Sequence, residues 1–301
     1  MTHTVLILGA NGKIGAHSQK AFAEAGWRVL RYQRGTDMVK AAMGADVIVN
    51  GLNPPNYHNW SKIIPEITEQ VIAAAKASGA TVVIPGNVYN FGCQGGEWTE
   101  ATPQQPCSRK GKIRKDMEER YRNAGIKTVI LRAGNFIDPD REDDVMTMIH
   151  MKSLAKGKVG IAAKPDVIQS YCYIPDWARA VVALCENREH LADFEDIPFP
   201  GYSVSATELR AIFENLLSRQ LGYARFPWWI ISLLSPVWEL AREMKEMRYL
   251  WETSHWLGRA KFDELIPDFE ETPIRDALAA SLPANIYPNK VVRSGSQSVL
   301  T

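Results

Sequence analysis

The 301-residue sequence carries almost no net charge: 35 lysines and arginines face 34 aspartates and glutamates, a balance of +1 at neutral pH. So even a mixture supplies no bulk field for holding nucleic acid or an anionic surface. Cysteine is scarce. The four present (Cys93, Cys107, Cys172, Cys185) show no C-x-x-C spacing, which argues against a disulfide framework or a thiolate metal site and predicts free thiols in a reducing, cytoplasmic setting. The six histidines (His3, His17, His58, His150, His190, His255) lack ligand spacing, so no metal site is expected.

Long apolar runs are missing too. Val5–Leu8 enters a glycine-rich turn with no basic leader, unlike a signal peptide. Phe226–Trp238 is the most lipid-like stretch, yet Pro227 and Pro236 interrupt it and it falls short of the roughly 20 apolar residues a membrane span needs. A buried or pocket-lining helix is the expectation there, with contact to a membrane surface the lesser alternative. No internal repeat or low-complexity block is present.

What the chain does contain is alternation. Thr4–Leu8, Arg28–Tyr32, Asp46–Asn50, Thr81–Pro85 and Lys127–Arg132 read as strands, apolar enough to be buried on both faces of a parallel sheet. Ile14–Ala25, Ser61–Ser78 and Ser108–Asn123 carry apolar residues at helical spacing. The pattern predicts an α/β, Rossmann-type doubly wound parallel sheet with a smaller, mostly helical C-terminal lobe for substrate. The expected division is 1–137 and 168–202 for the dinucleotide-binding core, 138–167 and 203–288 for the lobe, and 289–301 for a loose polar tail. Within the lobe, 145–156 reads as helical, and a helix is expected to start at Pro175-Asp176.

The most informative motif is Gly9-Ala10-Asn11-Gly12-Lys13-Ile14-Gly15, set between the first strand and the first helix. Glycines there permit a sharp turn, a close backbone approach to a pyrophosphate, and tight packing of helix on strand. The helix start presents N–H groups to the phosphates, which places Gly9, Asn11, Gly12, Lys13 and Ile14 in a cofactor site. The end of the second strand reads Leu30-Arg31-Tyr32-Gln33-Arg34 and has no acid to accept from a ribose 2′-hydroxyl. Arg34 suits a 2′-phosphate, so NADP(H) is favoured over NAD(H), the alternative being that Arg34 is a surface charge.

The G-x-x-G-x-x-G spacing resembles the atypical and extended branches of the short-chain dehydrogenase/reductase superfamily, which include epimerase/dehydratase-like enzymes. Further segments extend the resemblance: Asn50-Gly51-Leu52-Asn53, Arg132-Ala133-Gly134-Asn135-Phe136, Tyr173 to Ala180, Glu246 to Trp251, and Leu265 to Phe269. It implies cofactor contacts at Asn50, Leu52, Pro85, Gly86 and Asn135. One departure is clear. Only Gly35 to Ala45 separate Arg34 from the next strand, where the family fits a helix and a further strand, so that strand is expected to be lost or shortened, leaving Thr36, Asp37 and Met38 near the adenine.

The active-site signature departs as well. The resemblance implies a Ser or Thr three residues before Val88-Tyr89, and a Tyr-x-x-x-Lys on the following helix. Pro85 stands at the first position, Lys110 at the tyrosine position and Arg114 at the lysine position. Lys110 and Arg114 share one helix face. Either they are a solvated basic stripe, or Arg114 holds the ribose or phosphate while Lys110, desolvated beside other cations, donates a proton. Tyr89, Tyr57 and Tyr173 are the other candidate donors. Tyr57, Asn87, Lys110 and Tyr173 are the candidate substrate contacts, and His58 is either a contact or simply exposed. The expectation is an NADP(H)-dependent oxidoreductase or epimerase-like enzyme acting on a small carbonyl or sugar-type substrate. The competing expectation is a non-catalytic NADP(H)-binding sensor or subunit. No nucleic-acid partner is expected, and a homodimer stays open.

Overall fold

The computed structural model describes residues 2–283 and Ile286; the expected tail at 289–301 lies outside the described residues. The chain begins with β1 (Thr4–Leu8), α1 (Lys13–Glu24), β2 (Arg28–Arg31), a short α2 (Met38–Ala42), β3 (Val47–Asn50), the long α3 (Trp60–Ser78), β4 (Thr81–Gly86) and β5 (Gly96–Trp98). Helix α4 (Arg109–Arg122) leads to β6 (Thr128–Arg132), β7 (Asn135–Ile137), β8 (Lys158–Ile161), β9 (Ile168–Tyr173), α5 (Ile174–Glu186), β10 (Phe194–Pro198) and β11 (Tyr202–Ser205). The last third holds α6 (Ala206–Leu217), β12 (Gly222–Arg225), α7 (Trp228–Leu234), α8 (Glu239–Glu246), α9 (Arg248–Glu252), β13 (His255–Leu257), α10 (Ala260–Leu265) and α11 (Ile274–Ser281).

Six strands form one sheet in the order β10-β6-β4-β3-β1-β2, every pair parallel. Because successive side chains in a strand point to opposite faces, Val5, Ile7, Val47 and Val49 meet Phe22 of α1 and Trp177 of α5. Leu6, Leu8, Ile48 and Val82 meet Met38, Ile64, Val71 and Tyr121 from α2, α3 and α4. Two apolar layers sandwich the sheet, as a doubly wound fold requires. Phe262 and Ile266 return from the C-terminal third to join the α1/α5 layer.

The short link after β2 is resolved plainly. Asp37 caps α2, its carboxylate accepting from Lys40 N at 3.1 Å, and this five-residue helix delivers the chain directly to β3. Among the described residues no strand lies outside β2 in the sheet, so β2 is its edge there and is only partly covered.

The second lobe packs around Ile137, Met151, Tyr171, Leu209, Phe213 and Leu278. Its strands form small sheets, β11-β9-β7, β12-β8 and β13-β5. The helical expectation for 145–156 resolves into a π-helical turn at Met146–Met151 and a 3-10 turn at Leu154–Lys156. All four cysteines are free.

The reading of Phe226–Trp238 as a buried or pocket-lining helix needs correction. Helix α7 has seven residues, of which only Ile231 is buried. Trp229 is 70% exposed, Leu233 71%, Val237 86% and Trp238 45%. A helix this short, entered from Pro227 and followed closely by Pro236, has one stripe to bury and leaves the rest of its apolar surface outside.

Candidate active site

The glycine turn owes its shape to three different constraints. Gly9 has φ of +73°, and a Cβ there would sit 2.9 Å from Gly51 O. A Cβ on Gly15 would lie 2.2 Å from Gly9 O, so α1 leaves β1 too closely for any side chain. At Gly12 the nearest atom to a Cβ is Gly9 O at 3.2 Å, and its outer side is open. Gly12 also caps α1 without a side-chain hydrogen bond, and the first turn holds no acid. The positive end of the helix is therefore available to an anion, which fits a dinucleotide pyrophosphate.

Cations gather at this turn. Arg31 donates to Asn11 Oδ1 at 2.7 Å, Arg141 donates to Asn11 O at 2.5 Å, and Lys13 pairs with Asp143 at 3.1 Å. Neither Arg31 nor Arg141 stood out in the sequence. Arg31 closes β2 opposite Ile7, two residues before Gly9, whereas Arg141 arrives from an acidic loop 130 residues away.

Beside the turn, a cleft of about 610 Å³ is lined by Tyr32, Arg34, Thr36, Asp37, Met38, Leu52, Asn53 and His58, among others. Arg34 is exposed at its rim. The cleft thus brings together the residues expected at the adenine with the segment following β3. His58 is exposed and pairs with Glu239 at 3.1 Å.

Asn53 links the cleft to a buried cluster. Its Oδ1 accepts from Arg114 at 3.0 Å, and the Arg114 guanidinium lies 4.8 Å from the Trp60 ring centroid. Burial lowers the Arg114 pKa, while Tyr89 and Glu118 oppose that shift. Tyr57 and Tyr89 meet hydroxyl to hydroxyl at 3.2 Å. The neighbouring Tyr89, then burial, raise the Tyr57 phenol well above its ordinary value. Asn56, Tyr57 and Asn59 all have positive φ, at 54°, 61° and 47°. Asparagine tolerates that region but tyrosine rarely does, so strain of order 1 kcal/mol is held in the loop that presents Tyr57.

Lys110 is where the sequence reading needs the largest correction. It is 1% exposed, so α4 bears no solvated basic stripe at this position. Its ammonium pairs with Glu243 and, at 2.7 Å, with Glu246, and it also donates to Glu243 O at 3.2 Å. Carboxylates, not cations, close on it, and three acceptors from α8 take up its N–H groups, so none is left to point at a substrate. Lys110 lies 4.9 Å from the Tyr57 ring centroid, and its partner Glu243 adds to the upward shift of the Tyr57 phenol. Glu243 and Glu246 stand over a hundred residues away in sequence, and no local spacing announces them.

A second buried network supports Tyr89. Arg132 donates to Asp196 at 2.6 and 3.1 Å and to Glu118 at 2.8 and 3.1 Å. Burial alone would lower its pKa, but Asp196 and Glu118 overcome that and raise it. Arg132 also donates to Asn87 O at 2.5 Å, and Asn87 Oδ1 accepts from Tyr89 N at 3.0 Å. Asn87 therefore orients the backbone of Tyr89. Gly86 is required by packing, since a Cβ would come within 2.6 Å of Ile130, and Pro85 is the residue before it on β4.

Of the remaining residues, Asn50 is buried and its carboxamide contacts Tyr121 at 3.4 Å and Leu52 N at 3.2 Å. Asn135 lies on β7 opposite Tyr171, and Tyr173 ends β9 opposite Ile137. Among the described residues, His17, Asp138 and Asp140 bring donor atoms within 4.8 Å of one another. His17 and Asp138 already share a 2.9 Å hydrogen bond, which accounts for the pair without an ion.

No family model matches the sequence, and no curated protein matches it. Solved structures do. A UDP-glucuronic acid 4-epimerase from Bacillus cereus, in complex with UDP-glucuronic acid and NAD, superposes with a TM-score of 0.72 at 16% identity, covering 92% of this chain and 97% of that one. MoeE5, in complex with UDP-glucose and NAD, gives 0.72 at 15% identity, with coverage of 92% and 97%. A nucleoside-diphosphate-sugar epimerase from Staphylococcus aureus gives 0.65 at 19% identity, with coverage of 90% and 98%. The likeness drawn from the glycine turn holds over the whole architecture: the chain has the fold of the NAD-dependent nucleotide-sugar epimerases.

Proposed function

We propose that the protein is an oxidoreductase or epimerase-like enzyme that binds NADP(H) and acts on a sugar-type substrate, with Tyr89 as the group that moves the proton. The observation that carries this reading is the tyrosine pair. Tyr57 and Tyr89 stand 3.2 Å apart, beside the buried side chains of Arg114 and Lys110. The relatives in fold hold NAD and UDP-sugars, which supports the substrate class.

Gly9, Gly12 and the start of α1 would hold the pyrophosphate, Leu52 and Asn53 would flank the dinucleotide, and Arg34 would meet a 2′-phosphate. When bound, the nicotinamide accepts or returns a hydride. The chain's own part is the proton. As a substrate alcohol loses hydride from carbon, its hydroxyl proton passes to Tyr89 Oη, and the reverse step returns it. Tyr57 remains a phenol and donates to the Tyr89 oxygen. The Arg114 guanidinium favours negative charge on the pair, while Glu243 opposes it. Lys110, tied to Glu243 and Glu246, anchors α8 beside Tyr57, where the sequence suggested direct donation.

The test is calorimetric titration of the purified chain with NADPH and NADH. NADPH should bind more tightly, and Arg34→Ala should remove most of that preference while leaving NADH affinity nearly unchanged. Each tenfold of preference is about 1.4 kcal/mol, a reasonable scale for one phosphate–guanidinium contact. Equal affinities would return the site to NAD(H), and no binding of either would overturn the reading. Adding UDP-sugars to the loaded enzyme and following nicotinamide absorbance then tests substrate class.

A further inference from the structure

We propose that the surface built by α7, the Pro236–Trp238 link and α8 is a docking face for an anionic phospholipid bilayer, on which the protein sits peripherally. Four large apolar side chains are exposed within ten residues, Trp229, Leu233, Val237 and Trp238. Single exposed apolar residues need no explanation, but such a cluster does. Its composition is that of a membrane-interface segment, since indole rings favour the headgroup level and aliphatic side chains the acyl boundary. No helix among the described residues is long and apolar enough to cross a membrane, so the contact is with the surface.

The charges decide between a bilayer and other occupants. Arg225 precedes α7, while Arg242 and Lys245 lie three residues apart on α8 and are exposed with it. Arg225 and Lys245 form no ion pair among the described residues. Arg248 lies 5.6 Å from the Trp228 ring centroid and pairs with Glu252 at 2.9 Å, and Arg242 stands 3.8 Å from Glu243. The acids of α8 are largely committed elsewhere: Glu243 and Glu246 hold Lys110, and Glu239 holds His58. The cations beside this apolar segment that no acid among the described residues pairs with are Arg225 and Lys245. In a two-fold contact with a second copy the same face meets itself and sets these cations against each other. Anionic headgroups complement them. The chain as a whole is neutral, so the attraction is local to this face.

Flotation of the purified full chain with vesicles tests the assignment and involves neither cofactor nor substrate. Vesicles of phosphatidylcholine mixed with phosphatidylglycerol should carry the protein upward, and high salt should weaken this. Phosphatidylcholine alone should carry far less. The double variant Trp229→Ser/Leu233→Ser should lose about tenfold or more in partition while keeping the thermal melt of the parent, because both side chains are solvent-facing. Arg225→Glu/Lys245→Glu should lose the preference for phosphatidylglycerol. Brominated lipid should quench tryptophan emission in the parent and much less in the Trp229 variant. Absence of flotation with both vesicle types at low salt would overturn the proposal, as would equal flotation with both. So would a concentration-dependent dimer in sedimentation velocity that Trp229→Ser dissolves.

Discussion

Half-buried Tyr89 and buried Lys110 illustrate how two polar groups at one site respond differently to truncation. The Tyr89 hydroxyl has one hydrogen-bond partner, Tyr57 at 3.2 Å, so Tyr89→Phe removes little that holds the fold. It should lower turnover by about 10²- to 10⁴-fold, the usual worth of acid–base assistance, with dinucleotide affinity unchanged. Lys110→Ala should do the reverse. It strips the 3%-exposed Glu243 carboxylate of one of its two closest cations, Arg109 being the other, and since breaking a buried pair from one side costs about 3–5 kcal/mol, a loss at or below that range is expected. Denaturant titration should show that loss, and Glu243→Gln added to Lys110→Ala should recover part of it. Full stability of Lys110→Ala together with a large loss of turnover would restore Lys110 as the donor.

At the scale of elements, the turn between β1 and α1 offers a graded test. Gly15→Ala places a methyl 2.2 Å from Gly9 O and 2.8 Å from Ala10 Cα, against backbone that cannot step aside. About 1–3 kcal/mol of destabilisation is expected, with weakened dinucleotide binding because α1 must shift. Gly12→Val should instead abolish binding in a folded protein, since its backbone φ of −80° suits any residue and its branches occupy the anion's place. Calorimetry and thermal melts on both variants separate packing from binding. This turn was legible in the sequence because strand, glycines and helix are contiguous. The six-stranded sheet was legible for a similar reason, with β-branched runs and helical periodicity alternating within short windows. The lost strand after β2 could be read from chain length alone. Lys110 could not be placed correctly, because its partners Glu243 and Glu246 come from α8, more than 130 positions away. Arg141 was hidden for the same reason. The exposure of α7 was hidden too, since an apolar run does not reveal whether anything packs on it.

Across the whole molecule, two histidines make stability depend on pH. His150 is buried in the second lobe, where Gly160 O lies 2.9 Å from Nδ1 and the Tyr171 hydroxyl 2.8 Å from Nε2. His255 stacks on Trp98 at 4.2 Å, where β13 joins β5. Burial pushes each imidazole down to about 4, against about 6.5 in the unfolded chain. Between those values the unfolded state binds protons that the native state refuses, so stability rises with pH across the window and is lost as pH falls through it. From pH 7 to 5 each histidine should cost about 2 kcal/mol of stability. Asp144 and Glu271 have carboxyls raised by burial and act in the opposite direction, so the total slope alone is a weak test. The difference between the parent and His150→Gln cancels them. Glutamine keeps a polar group near Tyr171 but does not titrate. Urea unfolding at pH 7 and pH 5 should therefore show a loss about 2 kcal/mol smaller in the variant. An identical loss in both proteins would mean that the folded lobe admits the proton and that His150 is not held neutral.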